Sequence, residues 1–216
     1  GELALEMPME EDRHYPQGQM AAHVLGYVAA DGNGRVGMEQ VFNDHLTNPA
    51  TRGTPIALSI DVRVQGALED ELRRGMKLTQ AQGGAGIVLD VDTGEVMALA
   101  SLPEFDPNKI DAEGQKLMFN RVTNQVYELG STFKPLTVAA AIDSGTIRDL
   151  GKRFDASPVK VGRFTIRDSH AMGPTLNAVE TLIHSSNTTS ARIADEMGPE
   201  RLRQYMIDLG MNGRPE

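Results

Sequence analysis

The 216-residue sequence contains no cysteine, and no apolar run in it approaches the roughly 18 residues that a membrane helix requires. The lack of cysteine excludes a disulfide framework and a thiolate metal site, and it fits both oxidising and reducing compartments. Basic residues are also few, with 21 Lys and Arg against 30 Asp and Glu and a formal net charge of −9. Phosphate contacts require clustered cations, so no nucleic-acid partner is expected.

Signals for secretion, metal binding and phosphate binding are missing as well. The start, Gly1-Glu2-Leu3-Ala4, has no basic segment typical of a signal peptide. The chain has five histidines: His14, His23, His45, His170 and His184. They do not form the two-histidine helix pattern of zinc proteases. Gly83-Gly84-Ala85-Gly86 precedes a predicted strand rather than a helix, which disfavours a phosphate cradle. No cofactor and no metal are predicted.

The chain is 40% hydrophobic and 24% charged, which predicts a packed core. Residues 1–52 are rich in Gly, Pro, Asn and charge and predict loops and short elements, with a turn at Asp31-Gly32-Asn33-Gly34. Ile56–Ile60 predicts a strand and Asp61–Met76 an amphipathic helix. We therefore place a domain boundary near residue 52.

A hairpin and four helices are predicted in the rest of the chain. The hairpin pairs Ala85–Val91 with Glu95–Ala100 across Asp92-Thr93-Gly94. The helices are predicted over Ser131–Ser144, over Leu176–His184 with a cap at Thr175, from Thr188 to Gly198, and from Pro199 to Gly210. The first of them is apolar almost all round, which predicts a central position.

Ser131 and Lys134 form the strongest candidate site, within Gly130-Ser131-Thr132-Phe133-Lys134-Pro135. A serine hydroxyl needs a neighbouring base to act as a nucleophile, and a spacing of three places both side chains on one helix face. The helix start directs free N–H groups and positive dipole at Ser131. Burial against an apolar helix would disfavour the charge of Lys134 and make it a usable base.

Two simpler interpretations compete with this hypothesis. Ser131 could be only a helix cap, and Ser-x-x-Lys occurs by chance in chains of this length, as at Ser157-Pro158-Val159-Lys160. That second copy continues into a strand-like segment with no apolar helix behind it, so we interpret it as fortuitous. The triplet Ser185-Ser186-Asn187 between two predicted helices offers a hydroxyl and an amide, yet the same residues are ordinary helix caps.

Taken together, these motifs resemble those of the class B penicillin-binding proteins. The resemblance also rests on the segments Gly94–Ser101, Phe105–Asn108, Asn120–Thr123 and Tyr127–Lys134, and on Arg13–Pro16, Ala22–Gly26 and Gly37–Glu39. It is strongest to the division-specific peptidoglycan D,D-transpeptidases of Gram-negative bacteria. It implies an α+β fold of the penicillin-binding and β-lactamase-like type, with helices around an antiparallel sheet. Residues 1–52 would be part of a non-catalytic pedestal, and residues 53–216 the N-terminal portion of a transpeptidase domain.

The resemblance also implies roles for individual residues. Ser131 would form the acyl-enzyme, Lys134 would take its proton, and Ser185 would relay that proton to the leaving amine. Asn187 would hold the substrate amide and help orient Lys134. The substrates would be peptidoglycan stem peptides, with β-lactams as inhibitors and division proteins of the inner membrane as partners. The location would be periplasmic, with the whole protein anchored to the inner membrane.

The sequence departs from the family pattern after Asn187, because no lysine follows Lys160 and the third motif, Lys-Thr-Gly, is missing. We therefore expect the fold to be incomplete at the C-terminus, the anchor to be absent, and this piece to be nearly inactive. An unpaired edge of the hairpin is expected to favour self-association. A β-lactamase and a β-lactam sensor or silent division scaffold remain as alternatives, although the pedestal-like residues 1–52 favour the transpeptidase.

Overall fold

The computed structural model describes residues 13–213, so the first part of the predicted pedestal, residues 1–12, lies outside the described residues. The chain divides into two compact units, residues 1–126 and residues 127–216. The domain boundary near residue 52 stays a prediction.

Within its described residues, the first unit consists of short helices, one long helix and a hairpin. The elements are α1 Ala22–Leu25, α2 Gly37–Val41, α3 Asn43–Thr47, α4 Val62–Thr79, β1 Gly84–Leu89, β2 Val96–Leu102, α5 Ala112–Leu117 and α6 Arg121–Asn124. The predicted long helix and hairpin are confirmed. Asp61 caps α4 by accepting hydrogen bonds from the backbone N–H groups of Arg63 and Val64.

The strand predicted over Ile56–Ile60 is wrong, because the structure assigns no strand there. The segment alternates between half-buried and exposed residues, as an extended chain does. However, among the described residues, the hydrogen bonds that join this stretch to β2 come from the Ser59 hydroxyl, which donates to the Val96 carbonyl at 2.7 Å, and from the N–H of Asp61, just after the segment, which donates to the Met97 carbonyl at 2.9 Å. Two isolated contacts do not form the repeating ladder of a strand pair.

The side chain of Gln65 takes the place of a neighbouring strand at the outer edge of β2. Its Nε2 donates to the Leu99 carbonyl and its Oε1 accepts from the Leu99 N–H, both at 2.9 Å. Nε2 also donates to Glu69 at 2.8 Å, and Glu69 accepts the N–H of Ala21 at 2.9 Å. Gln65 is fully buried, so this polar seam fixes α4 against the hairpin in one register.

The outer edge of β1 has no strand partner among the described residues. Ile87 and Leu89 beside it are 46% and 50% exposed. Unpaired edges of this kind favour pairing with another chain. Self-association therefore stays a prediction, with this edge as its surface.

The second unit begins with a 3₁₀ turn, Gly130–Phe133, and mixes helices with short strands. The elements that follow are α7 Lys134–Asp143, β3 Arg153–Asp155, β4 Val159–Val161, β5 Phe164–Ile166, β6 Thr175–Asn177, α8 Ala178–Ile183, α9 Asn187–Met197 and α10 Pro199–Asp208. Strand β3 pairs with β6 and β4 with β5, both antiparallel. All strand pairs in the described residues are antiparallel, and the predicted α+β class is confirmed.

The core of this unit lies between α7 and α9, with α8 and α10 beside them. Its buried residues are Val138, Ala140, Ala141, Ile147, Phe154, Ala178, Ile193 and Met197, and Leu202 and Tyr205 pack against them. The central position predicted for α7 from its apolar composition holds for one side of the helix, because Ala139 and Ile142 are exposed. Only one face of this helix meets the core.

Two predicted helix starts also need correction. The helix predicted from Ser131 opens with a 3₁₀ turn, and α-helical geometry begins at Lys134. The cap predicted at Thr175 is wrong, because Thr175 pairs with Asp155 in the β3–β6 ladder. Asn177, the last residue of β6, caps α8 through a capping box with Glu180.

The polar seam of the first unit can be tested by replacing Gln65 with leucine. Gln65→Leu leaves both backbone groups of Leu99 and one Glu69 oxygen without this partner. We expect the free energy of unfolding to fall by about 2–4 kcal/mol, since each buried polar group left unsatisfied costs about 1–3 kcal/mol. Urea unfolding followed by circular dichroism measures the change.

A matched control is Glu71→Leu, because Glu71 lies on the same helix with 69% of its side chain exposed. This variant should shift the free energy of unfolding by less than about 0.5 kcal/mol. Equal effects of the two leucine variants would contradict a specific role for the buried amide.

Candidate active site

The Lys134 amino group lies within hydrogen-bond distance of four oxygens in the second unit. Its Nζ is 3.1 Å from Ser131 Oγ, 3.0 Å from Ser185 Oγ, 2.7 Å from Asn187 Oδ1 and 2.5 Å from the Ser185 carbonyl. The structure thus brings together all four side chains that the sequence singled out. An ammonium has only three N–H donors, so four oxygens around it exceed what the charged form can satisfy at once.

The 3₁₀ turn explains how Ser131 meets Lys134. In 3₁₀ geometry, side chains three residues apart are eclipsed, which places Ser131 directly beside the first residue of α7. Gly130 has a positive φ of 56°, a conformation that glycine adopts without steric cost and that turns the chain into the helix. The two side chains are therefore aligned along the turn, whereas in the α-helix predicted from the sequence they would be offset around the axis.

Ser185 occupies the tight turn between α8 and α9 in a strained conformation. Its φ is +53°, and a left-handed non-glycine residue costs about 1–3 kcal/mol. The turn aims the Ser185 hydroxyl at Ser131, to which it donates at 2.9 Å. Two backbone hydrogen bonds tie the turn to α8: the N–H of Ser185 donates to the Leu182 carbonyl, and the N–H of Ser186 donates to the Thr181 carbonyl. Strain of this kind persists only where the surrounding contacts overdetermine it.

Asp168 is part of this arrangement, and the sequence reasoning missed it. Its Oδ1 accepts the N–H groups of Asn187 at 2.5 Å and Thr188 at 3.1 Å. Its Oδ2 accepts the hydroxyls of Ser186 at 2.9 Å and Thr188 at 2.7 Å. A cap signal is normally found next to its helix, and Asp168 lies 19 residues before Asn187, so no local pattern revealed it.

Burial lowers the pKa of Lys134, and the Asp168 carboxylate opposes that shift. Burial would raise the pKa of Asp168, but the hydrogen bonds from Thr188, Ser186 and Asn187 outweigh it and lower that pKa. The predicted direction for Lys134 is confirmed. Asp168 is accordingly a carboxylate at neutral pH, and Lys134 loses its proton more easily than an ordinary lysine.

The second Ser-x-x-Lys match has a different environment. The Ser157 hydroxyl donates to Asp155 at 2.7 Å and accepts from Arg192 at 3.0 Å. Lys160 lies within β4. No contact between Ser157 and Lys160 is found among the described residues, so this serine has no base beside it.

Residues 84–215 match the penicillin-binding protein transpeptidase domain. The chain belongs to this family. The match covers both parts of the site, the Ser131–Lys134 turn and the Ser185–Asn187 turn. The resemblance that the sequence motifs indicated is thereby confirmed.

Curated relatives of this transpeptidase-family chain carry related names. The probable peptidoglycan D,D-transpeptidase FtsI of Caulobacter vibrioides is 44% identical over 94% of this chain and 34% of its own length. The probable peptidoglycan D,D-transpeptidase PenA of Neisseria meningitidis is 32% identical over 95% and 39%. The Escherichia coli peptidoglycan D,D-transpeptidase FtsI is 30% identical over 94% and 38%. The chain thus spans less than half the length of these relatives.

Solved structures support the fold of this family member. Penicillin-binding protein 3 from Mycobacterium tuberculosis in its apo form superposes with a TM-score of 0.79 and 22% identity, over 92% of this chain and 46% of that one. Its complex with aztreonam gives the same TM-score and coverage with 23% identity. Both establish the penicillin-binding fold. Among the described residues, no helix has the length and apolar character needed to cross a membrane.

The lowered pKa of Lys134 can be measured directly in protein labelled with ¹³C-lysine. We expect the Cε resonance of Lys134 to titrate at lower pH in the folded chain than in the urea-unfolded chain, because burial disfavours the ammonium. The signal is assigned as the one missing from the Lys134→Arg variant. Coinciding midpoints in the folded and unfolded chains would contradict the shift.

Proposed function

We propose that this chain contributes the nucleophile and base of an acyl-serine D,D-transpeptidase that cross-links peptidoglycan stem peptides during cell division. One observation carries the proposal: Ser131 Oγ lies 3.1 Å from Lys134 Nζ and 2.9 Å from Ser185 Oγ. A nucleophile needs a base within about 2.6–3.2 Å, and the base in turn needs groups that orient it. The names of the relatives support the choice of reaction.

The geometry suits a neutral Lys134. Two N–H groups then suffice for the two shortest contacts, those to the Ser185 carbonyl and Asn187 Oδ1. The lone pair remains for the Ser131 hydroxyl, which donates its proton to Nζ as Oγ attacks the substrate carbonyl carbon. Asn187 and Ser185 thereby hold the base in the orientation that proton transfer requires.

Acylation forms the Oγ–C bond and breaks the C–N bond to the terminal D-alanine. The departing amine needs a proton, and the Ser185 hydroxyl is placed to deliver it. Its oxygen is within reach of protonated Lys134 at 3.0 Å, so the proton taken from Ser131 can replace the one that Ser185 gives up. A β-lactam would acylate Ser131 by the same attack, with the opened ring in place of the departed amine.

The context of the proposal is the division machinery at the bacterial inner membrane. We place the whole protein in the periplasm, anchored to that membrane, with division proteins as partners and residues 1–52 as part of a pedestal. These assignments rest on the family resemblance and on the FtsI names of the relatives. The mode of β-lactam attachment separates the alternatives: a transpeptidase keeps the adduct, a β-lactamase loses it rapidly, and a silent scaffold forms none.

Labelled penicillin should attach to Ser131 in the full-length gene product. Peptide mapping by mass spectrometry is expected to place the adduct there, and Ser131→Ala should abolish it. Ser157→Ala is the matched control, since it removes the serine of the other Ser-x-x-Lys match, and it should label normally. An adduct at Ser157, or full labelling of Ser131→Ala, would overturn the proposal.

Lys134→Arg tests the base. A guanidinium stays protonated at any usable pH, so this variant keeps the positive charge but is unable to take the Ser131 proton. We expect acylation by a fluorescent penicillin to be abolished, with an unchanged far-ultraviolet circular dichroism spectrum. Near-normal acylation would show that Lys134 acts only as a counter-charge.

The 216 residues contain no Lys-Thr-Gly, and in the family that motif supplies an oxyanion donor and a carboxylate-binding cation. Loss of one oxyanion donor alone costs about 2.7–4 kcal/mol, a factor of roughly 10²–10³ in rate. We therefore expect this piece alone to acylate at least about a hundred-fold more slowly than a full-length gene product that carries the motif. Stopped-flow acylation by a fluorescent penicillin compares the two, and comparable rates would refute the expectation.

A further inference from the structure

We propose that Asp168 is a positioning residue whose carboxylate holds the Ser185–Asn187 turn against Lys134. The inference rests on the proposed function for its activity test, and the residue lies outside the four that the motifs identify. Asp168 reaches the site from the loop after β5, so it connects a segment remote in sequence to the start of α9.

The carboxylate provides what the α9 N-terminus needs. The first N–H groups of a helix have no partner within the helix. Asp168 Oδ1 accepts those of Asn187 and Thr188, while the Ser186 hydroxyl accepts that of Thr189 at 3.2 Å. Ser186 therefore caps one N–H and Asp168 the two before it. The negative charge at this end is also favoured by the helix dipole.

The same contacts determine where the catalytic groups point. Ser186 is fully buried, and its hydroxyl donates to Asp168 Oδ2 at 2.9 Å. Ser185 and Asn187 flank this fixed residue and both contact Lys134. If Ser186 lost its bond to Asp168, the turn could relax and Ser185 could leave its left-handed conformation. The Ser185 hydroxyl would then move away from Ser131.

The loop also fixes the Asn187 amide. Its Nδ2 donates to the carbonyl of Arg167, the residue before Asp168, at 3.1 Å. That bond leaves Oδ1 facing Lys134 Nζ, at 2.7 Å. The Arg167–Asp168 segment therefore sets both the backbone and the amide orientation of Asn187.

Asp168 acts on Lys134 by charge as well as by position. Its charge raises the pKa of Lys134 from a distance, and the groups that contact Nζ, on the 3₁₀ turn, the α8–α9 turn and α9, are neutral. A nearby carboxylate stabilises the ammonium that forms when Lys134 takes the Ser131 proton. It also keeps more of the resting amine protonated, so its removal should let the base work at lower pH.

Two substitutions separate position from charge. Asp168→Asn removes the charge and keeps one oxygen that accepts the N–H groups of Asn187 and Thr188, while its NH₂ group faces the hydroxyls of Ser186 and Thr188, which can rotate to accept from it. We expect the rising limb of acylation rate against pH to move to lower pH in this variant, since Lys134 loses its proton more easily. Asp168→Ala removes the charge and the acceptor together, so the plateau rate above the pH limb should fall by about 10- to 100-fold, the range found for groups that orient metal ligands in the same indirect way.

Asp155→Asn is the matched control. Asp155 also accepts a backbone N–H and a hydroxyl, both from Ser157 and at 2.8 and 2.7 Å, but it has no contact with the four site residues. This variant should keep the wild-type pH limb and a rate within about twofold of the wild type. Each variant is tested for folding by circular dichroism, and if Asp168→Ala does not fold, the nearly isosteric Asp168→Asn decides.

A second readout does not depend on catalysis. In ¹³C-lysine-labelled protein, Asp168→Asn should move the Lys134 Cε midpoint to lower pH, while Asp155→Asn leaves it in place. The inference is overturned if Asp168→Asn keeps both the wild-type pH limb and the wild-type midpoint. A wild-type protein that fails to form an adduct at Ser131 would instead refute the proposed function, and the Cε titration would still test Asp168.

Discussion

The candidate site depends on one partly buried amino group that four oxygens surround. Lys134 Nζ reaches Ser131, the hydroxyl and carbonyl of Ser185, and Asn187, all within 3.1 Å. Either charge state can make only three of these four contacts, three donated by the ammonium or two donated and one accepted by the neutral amine, and burial favours the neutral state. The local structure can be understood as the means of bringing these oxygens to one nitrogen.

Each part of that structure has a conformational cost that another part offsets. The 3₁₀ turn has poorer hydrogen-bond geometry than an α-helix, and the left-handed Ser185 is strained. The packing of α7 against α9 and the four hydrogen bonds to Asp168 hold both in place. Behind the turn, buried hydroxyls bond to one another, as Thr181 does to Thr189 at 2.9 Å. Satisfied polar groups of this kind specify a single arrangement more sharply than apolar contacts do.

The first unit uses a buried polar contact for a different purpose. Gln65 completes the edge of β2 and links it to α4, so the helix and the hairpin lock together without a third strand. The hydrophobic periodicity of α4 predicted an amphipathic helix, yet the buried residues of this helix are the polar Gln65 and Glu69. A hydrophobic pattern does not identify these residues as core, because their burial depends on partners in β2 and at Ala21.

The sequence alone was sufficient for the elements whose local signals are strong, although the local strand and cap predictions at Ile56–Ile60 and Thr175 were wrong. It predicted α4, the hairpin, and the helices ending at Gly198 and near Gly210, because periodicity, turns and caps act over a few residues. It also indicated Ser131 with Lys134 and, separately, Ser185 with Asn187. Tertiary structure decided that these pairs meet at one nitrogen, and that Ser157 has no such base. It alone revealed Asp168, whose partners lie 18 to 20 residues away, since contacts across that distance follow from packing and leave no periodic pattern in the sequence.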